Sequence, residues 1–476
     1  MPRRKRRQPV VLESVTFTGI ASRGAVVGRD PDGQVVFARG PVPGDVADVS
    51  ARKKKGVLQD GEVVHWRSFA DGRVVPPCTH FGACGGCSYQ HLDYAQQLAA
   101  KAALVRDAYA RLGGLEAGDW FEPILGAPSP YGYRNKMEYA FARRRWLTEE
   151  EMALGYAQEG LALGFHRRGA WDKVLDVRRC HLQRTEGDVL RNTLRELALE
   201  RGLSFYDERT HRGLLRKATI RAADAGGVML TLMLGQPRTD ELDAFLAAVL
   251  VRCGFVTSAY VVVNEKLNDS MTGLTPEHVH GEPHVTERLG HVDFRIGPLS
   301  FFQTNTAQAV RLYDVVADFA GLDGTQVVYD LYAGVGSIGL YLARGARRIV
   351  AIEEVAAAID DADANARLNS VDNFTGYAGD VGAILDEAFA KTHGAPDVVV
   401  TDPPRAGMHA DVVAMLVRLG APRIVYVSCN PATQARDLRL LGEGGYRVTR
   451  ARPVDMFPQT PHCEAVALLE RAGSSV

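Results

Sequence analysis

An α/β protein is what the sequence predicts: a doubly wound, Rossmann-like sheet at the C-terminal end, an OB-type β-barrel at the N-terminal end, and a central α+β region between them. Three patterns carry that expectation. From about residue 300, apolar strand-like runs alternate with helix-prone runs, as in "TQVVYDLYAGVGSIGLYLA" and "RRIVAIEEVAAAIDDADANARLN". Such βαβα order builds a mostly parallel sheet covered on both faces. Residues about 8–72 hold five short β-branched segments punctuated by Gly, Asp and Pro, the pattern of a small barrel. Residues about 120–300 mix strand and turn signals. The expected divisions are 1–72, 73–299 and 300–476.

The elements follow in order. "SVTFTG", "GAVVGR", "QVVFARG", "DVADVSARKK" and "KGVLQDGEVVHW" are the barrel strands. Residues 1–73 carry 14 Lys or Arg against 8 Asp or Glu, about +6, while the whole 476-residue chain is −1. The remainder is therefore acidic, about −7. A basic arm, "MPRRKRR", and a basic first module point to a polyanionic partner, nucleic acid. "RVVPPC" is a linker. "DYAQQLAAKAALVRDAYARLGG" is an amphipathic helix, with Asp93 as N-cap and Gly113 as its stop. "RNKMEYAFA", "LALGFHR", "LLRKATIRAA" and "GGVMLTLMLG" are strands; the last is apolar almost throughout and should be buried on both faces. No run of about 18 apolar residues exists, so no transmembrane helix is expected. The basic start lacks the apolar stretch of a secretory signal. The expectation is a cytoplasmic monomer with no membrane partner.

"DLYAGVGSIG" places Gly334, Gly336 and Gly339 as G-x-G-x-x-G between a strand and a helix. Glycines there let backbone approach a ligand at a helix start. Glu353 ends the next strand, where a carboxylate can accept from ribose hydroxyls. NAD and S-adenosylmethionine both fit these residues. Asp330-Leu331-Tyr332 and Asp402-Pro403-Pro404-Arg405 resemble the adenosylmethionine-dependent methyltransferase pattern. Arg405 stands where amine methyltransferases tend to carry an aromatic residue, which disfavours amine methylation.

"YVSCNPATQARDL" puts Cys429 directly after an apolar strand, at the sheet end where α/β proteins bind ligands. Read alone, it is a small buried hydrophobe; read with the glycine loop, it is a nucleophile. Uracil C5 is a poor nucleophile until a thiolate adds at C6, after which C5 accepts a methyl group. A base must then remove the C5 proton. "TPHCEAVALLE" supplies Glu464 just before the last strand, Ala465 to Leu469, with His462 as the alternative base and Cys463 as packing.

The seven cysteines include Cys78, Cys84 and Cys87, spaced C-x5-C-x2-C around two glycines. Cys180 in "RRCHLQ" is the natural fourth ligand. An odd count in a cytosolic chain argues against a disulfide framework. Four thiolates suit zinc or an iron–sulfur cluster equally. "PYGYRNKMEYAF" offers Tyr131, Tyr133, Arg134 and Lys136 for stacking and phosphate contact, with "FHRRGAWDK" as a lesser candidate. Phe301 and Phe302 are expected in the core. Uracil C5 and C6 are stacked in a duplex, so a loop or a flipped base is required.

"SCNPATQARDL", "DPPRAG", "FFQTN" and "HCEAVALL" together resemble the RNA uracil-C5 methyltransferase family over nearly the whole chain. The resemblance implies that Cys429 is the nucleophile and Glu464 the base. It implies a TRAM domain in the basic β-module and cofactor contacts from Gln303, Tyr332, Glu353, Asp380 and Asp402, beside the glycine loop with Gly334. Ser337 stands where relatives often have Asn. Asp402 and Gln303 are equally suited to orient the target uracil. It favours a [4Fe-4S] cluster on Cys78, Cys84, Cys87 and Cys180, in a structural or RNA-positioning role, and 23S rRNA as the partner. The rival expectations are a tRNA T-loop uracil-C5 methyltransferase, a non-catalytic RNA assembly factor on the same fold and, distantly, a dehydrogenase.

Overall fold

A computed structural model describes residues 9–21, 24–54, 57–156, 159–167 and 169–473. The basic arm "MPRRKRR", Lys55 and Gly56 of "ARKKKG", and Arg168 of "FHRRGAWDK" lie outside the described residues. Strands β1 (Val10–Ile20), β2 (Val26–Arg29), β3 (Val35–Ala38), β4 (Val46–Lys54) and β5 (Val57–Ser68) close into a barrel in the order β1-β2-β3-β5-β4. Closure leaves no free edge. The alternating apolar residues Val15, Phe17, Val26, Val36, Ala38 and Val49 fill its interior.

The central sheet comprises β6 (Lys136–Trp146), β7 (Glu159–His166), β8 (Val174–Asp176), β9 (Leu215–Ala222), β10 (Val228–Leu234), β11 (Val256–Val263) and β12 (Glu277–Gly281), ordered β12-β11-β10-β9-β6-β7-β8. Every residue of β10 is buried, as its unbroken apolar run requires. Helices Thr185–Glu200 and Asp240–Arg252 bury Leu190, Leu194, Phe245 and Val249 against Tyr139, Ile220 and Leu230 of this sheet. A hairpin, β13 (Val285–Leu289) and β14 (Val292–Ile296), leads out of it.

The C-terminal sheet contains β15 (Val327–Leu331), β16 (Arg348–Glu353), β17 (Phe374–Ala378), β18 (Val398–Thr401), β19 (Arg423–Ser428), β20 (Tyr446–Val454) and β21 (Glu464–Arg471), ordered β17-β16-β15-β18-β19-β21-β20. The first five in that order are mutually parallel. β21 is antiparallel to both β19 and β20, between which it inserts. The chain reverses its strand order between β15 and β18, so a crevice opens beyond their carboxyl ends. The Rossmann-like fold expected from the strand and helix alternation is therefore present, together with the OB-like barrel.

Three local expectations shift. The helix after the linker spans Tyr94–Ala108, and Asp93 caps it by accepting from the Ala95 and Gln96 amides. It does not stop at Gly113: a π-helical turn, Tyr109–Gly113, extends it, and Gly114 terminates it in the left-handed region at φ 65°. Gly113 is buried, and a Cβ there would meet the Ala435 carbonyl oxygen at 3.3 Å, so its role is close packing. Glu464 begins the last strand rather than preceding it. Phe302 is buried as expected, against Phe294, but Phe301 is 73% exposed.

The helix Tyr94–Ala108 packs on the C-terminal sheet, where Val105 and Tyr109 share a core with Tyr426, Leu438 and Ala465. Phe121 and Leu125 bridge to Ala451 and Val454 of β20. Lys101, fully buried, donates to Asp455 at 2.6 Å and to the Phe457 carbonyl at 3.0 Å. Asp455 also accepts from the Tyr94 hydroxyl at 3.0 Å. Breaking a buried pair strands a charge in low dielectric. Lys101→Met is expected to lower the unfolding free energy in urea at pH 7 by about 3–5 kcal/mol; a change near zero would show that the pair contributes nothing net.

Candidate active site

The carboxyl ends of five parallel strands deliver the sequence-predicted residues to one edge. β15 ends at Leu331 and is followed by Tyr332, at φ 61°, and the glycine loop. β16 ends at Glu353, β17 is followed by Asp380, β18 by Asp402, and β19 by Cys429. Leu331 lies level with Ile352 and with Thr401, and Thr401 with Tyr426, so these ends are aligned. The antiparallel β21 completes the set. Ala465 pairs with Ser428, which places Glu464 beside Cys429 on the adjacent strand, at the roughly 5 Å spacing of neighbouring strands.

The glycine loop is tied down from within. Buried Asp330 accepts from the Gly339 amide at 2.8 Å. A Cβ on Gly339 would meet that carboxylate at 2.9 Å and Ile349 at 3.0 Å, so only glycine lets the helix Ser337–Leu342 sit this close to the sheet. Glu353 accepts from the Gly334 amide at 3.0 Å and from the Val355 amide at 2.9 Å. It braces the loop as well as lying where a ribose would come. Ser337 shares a 2.8 Å hydrogen bond with the Tyr313 hydroxyl. Asp380 is exposed and caps the short helix Val381–Ile384 by accepting from the Ala383 amide. Gln303 is held by its main chain, whose carbonyl accepts from the Asn135 side chain at 3.0 Å.

The loop Pro403–Met408 is stapled onto the helix that follows Cys429. Asn430 and Thr433 donate to the Arg405 carbonyl at 2.9 and 3.2 Å. Arg436 donates to the Ala406 and Met408 carbonyls, both at 3.1 Å. Buried Asp437 accepts from the Met408 amide at 2.9 Å and the Tyr426 hydroxyl at 2.7 Å. These bonds hold the loop so that the positive charge of Arg405 acts on the Cys429 thiol, opposing its upward shift. Sequence reading noticed Arg405 only for the aromatic residue it replaces. Its place one step past Asp-Pro-Pro, at a strand's carboxyl end, was the available signal.

Electrostatics at this mouth are dominated by burial. The Cys429 thiol is pushed up to about 11 by desolvation and by the carboxylates of Glu464 and Asp402, with Arg405 opposing. Glu464 is raised to about 8 by burial and by Asp402, again with Arg405 opposing. Asp402 is raised to about 7 by burial. Asp330 reaches about 7 from burial, with further contributions from Asp402 and Glu353. A pocket that holds so many carboxyl groups against their ionisation is complementary to a cation. His462 is lowered, first by burial and then by Arg405. Cys463 is buried in the core and donates to the Glu464 carbonyl.

Elsewhere, Cys78, Cys84, Cys87 and Cys180 line one cavity of about 340 Å³ with Arg134, Lys136 and Thr304. Burial raises all four thiols, Cys84 to about 11 and Cys87 to about 12. The Cys180 amide donates to Asp188 at 3.0 Å. His80 Nδ1, Gln90 Oε1, Arg134 Nε and Thr304 Oγ1 are buried there without a hydrogen-bond partner. Among the described residues, no three His, Cys, Asp or Glu side chains gather tightly enough to grip a metal ion. Four soft thiol donors facing one cavity nonetheless match the ligand set of an iron–sulfur cluster. Of the expected RNA contacts, the Tyr133 hydroxyl donates to the Pro458 carbonyl at 2.9 Å, and Lys136 pairs with Glu138 at 3.2 Å. No helix among the described residues is long and apolar enough to cross a membrane.

The chain is similar to known proteins along most of its length. Residues 269–378 and 386–472 match the tRNA (uracil-5-)-methyltransferase family. An RNA methyltransferase of Bacteroides thetaiotaomicron, itself uncharacterized, is 41% identical over 95% of this chain and 100% of its own length. One from Porphyromonas gingivalis, also uncharacterized, is 43% identical over 96% and 99%. The structure of the Pyrococcus abyssi tRNA (uracil-54, C5)-methyltransferase, in complex with S-adenosyl-L-homocysteine, superposes with a TM-score of 0.72 at 27% identity, over 96% of this chain and 100% of that one.

The thiol chemistry yields a test. A thiol raised to about 11 is scarcely ionised at neutral pH, and only the thiolate alkylates. Iodoacetamide modification of Cys429 in the ligand-free protein, followed by peptide mass spectrometry, is expected to accelerate about tenfold per pH unit from 7 to 9. Arg405→Ala should slow it further. A rate flat with pH would mean that the thiolate already exists.

Proposed function

We propose that this chain, which belongs to the tRNA (uracil-5-)-methyltransferase family of S-adenosylmethionine-dependent RNA methyltransferases, methylates C5 of a uracil in RNA with Cys429 as nucleophile and Glu464 as base. The observation that carries the reading is the pairing of Ser428 with Ala465, which sets thiol and carboxyl side by side at the mouth of the glycine loop. The Cys429 thiol releases its proton to water, and the thiolate adds to uracil C6 as the C5=C6 electrons move toward C5 and O4. Arg405 stabilises the thiolate that attacks. S-adenosylmethionine, when bound, supplies an electrophilic methyl group for C5. Glu464 then takes the C5 proton, the C–H electrons re-form C5=C6, and the C6–Sγ bond breaks to return the thiolate. A carboxyl group near 8 is well matched to proton transfer at neutral pH.

Gly334, Ser337, Tyr332, Glu353, Asp380, Asp402 and Gln303 are the proposed cofactor and uracil contacts. The raised carboxyl of Asp402 suits a neighbouring sulfonium or ammonium charge. Cys78, Cys84, Cys87 and Cys180 are proposed to hold a [4Fe-4S] cluster. The positive charge of its iron would stabilise thiolates that burial alone keeps protonated. The barrel acts as a TRAM-type RNA platform, and Tyr133, Arg134 and Lys136 contribute to the RNA path. The exposed ring of Phe301, two residues from Gln303, is a further stacking surface. The proposed protein is cytoplasmic and monomeric, with 23S rRNA as substrate. The Pyrococcus abyssi neighbour acts on tRNA uracil-54, so tRNA is the second reading.

RNA carrying 5-fluorouridine tests the reaction, because fluorine at C5 cannot leave as a proton. With S-adenosylmethionine it should form a denaturation-resistant adduct mapping to Cys429, and Cys429→Ala should abolish adduct and turnover alike. On ordinary RNA, Glu464→Gln should accumulate the adduct. Comparing 23S rRNA and tRNA fragments ranks the substrates; adduct with neither would overturn the reading. Protein purified without oxygen should be brown with iron and sulfide, and Cys84→Ser should lose the colour. Stoichiometric zinc would replace the cluster assignment.

A further inference from the structure

The segment Asp455–Cys463 enters the strand that begins with Glu464, and its conformation is imposed from outside the C-terminal sheet. Gln459 is its centre. It is 3% exposed and sits at φ 68°, in the left-handed region that a residue with a side chain rarely adopts. Such a conformation costs of order 1–3 kcal/mol and persists only where surrounding contacts enforce it. Here they do. The Gln459 amide donates to Gln97 Oε1 at 3.1 Å, and its Oε1 accepts from Gln97 Nε2 at 3.0 Å. Its carbonyl accepts from the amides of Ser88 at 2.8 Å and Tyr89 at 3.1 Å. Ser88 follows Cys87 directly. Gln97 is itself fixed by donating to the Tyr89 and Leu92 carbonyls at 3.0 and 2.7 Å.

Neighbouring residues hold the rest of the segment. Asn305 donates to the Met456 carbonyl at 2.9 Å, Lys101 to that of Phe457, and Tyr133 to that of Pro458. Thr460 donates to Phe457, and His462 donates back to Thr460. Within the segment, only Gln459 is bonded through its amide, its carbonyl and its side chain to the cysteine loop and the helix beside it.

We infer that Gln459 is a positioning residue for C5 proton abstraction: through it the loop bearing Cys87 and the helix Tyr94–Ala108 set the segment that presents Glu464. The inference rests on the base assignment proposed above. Cys429 hangs from a different strand, whose following loop is pinned by Arg405, Asn430 and Thr433. Loss of the Gln459 contacts should therefore spare thiol addition and methyl transfer and slow the step in which Glu464 takes the C5 proton. A displacement of about 1 Å at a reacting group can cost on the order of a hundredfold in rate.

The test separates the two steps in the full-length, cluster-loaded protein. Adduct formation with 5-fluorouridine RNA reports addition and methyl transfer. Turnover and steady-state adduct on ordinary RNA report proton removal. Gln459→Gly accepts the backbone angle but deletes the side-chain bond. It should lower turnover about tenfold or more, raise the adduct fraction, and leave fluorouridine trapping within about threefold of wild type. Gln459→Asn keeps an amide and tolerates the left-handed region, so it should recover most of the turnover. Should Gln459→Gly fail to fold, Gln97→Ala removes the side-chain bond together with the acceptor of the Gln459 amide and should show the same partition. Equal loss of trapping and turnover, or unchanged turnover, overturns the inference. Glu464→Gln is the control. If it traps adduct and the Gln459 and Gln97 variants do not, only this inference falls; if it traps none, the base assignment fails and takes the inference with it.

Discussion

The antiparallel insertion of β21 between β19 and β20 is the constraint on which the site depends. A purely parallel sheet would deliver Cys429, Asp402 and the glycine loop to one edge, because all follow strand carboxyl ends. It would carry any residue at the start of a strand to the opposite edge. By running the other way, β21 brings the first residue of a strand, Glu464, to the edge where the others end. Thiol and carboxyl then meet without a long loop. Their approach is set by the β19–β21 ladder, which ends at Ser428 and Ala465, the residues just before Cys429 and just after Glu464.

That placement has an electrostatic cost which the molecule answers locally. Glu464, Asp402 and Asp330 crowd a desolvated pocket, and each is raised toward or above neutrality. Arg405 is the cation that opposes them at both Cys429 and Glu464. It reaches them because its own carbonyl is clamped by Asn430 and Thr433 at the start of the helix that Cys429 precedes. One loop thus supplies a carboxyl group, Asp402, and three residues later the cation that opposes the upward shifts of Cys429 and Glu464.

The legible part of the sequence was what local chemistry dictates. Alternating strand and helix signals gave the parallel sheet, Asp93 its cap, and the unbroken apolar run of β10 its burial. Cys429 and the glycine loop could be placed because a strand's carboxyl end is recognisable in the chain itself. What stayed hidden was long-range. Nothing near Gln97 or Lys101 announces partners some 350 residues away, and nothing around Tyr94–Ala108 says that it packs on the last sheet rather than the central one. The π-turn that moves the helix stop from Gly113 to Gly114 is set by packing against Ala435. Phe301 and Phe302 are chemically alike, and only tertiary position decides that one ring is buried and its neighbour exposed.

The raised thiol at Cys429 then acquires a meaning of its own. A cysteine near 11 is a poor nucleophile while the pocket is empty, since oxidants and electrophiles react with thiolate. Its leading causes are desolvation and the negative fields of Glu464 and Asp402. A cationic ligand beside those carboxyls reverses the second cause directly. A positive charge bound there would therefore lower the cost of ionising the Cys429 thiol.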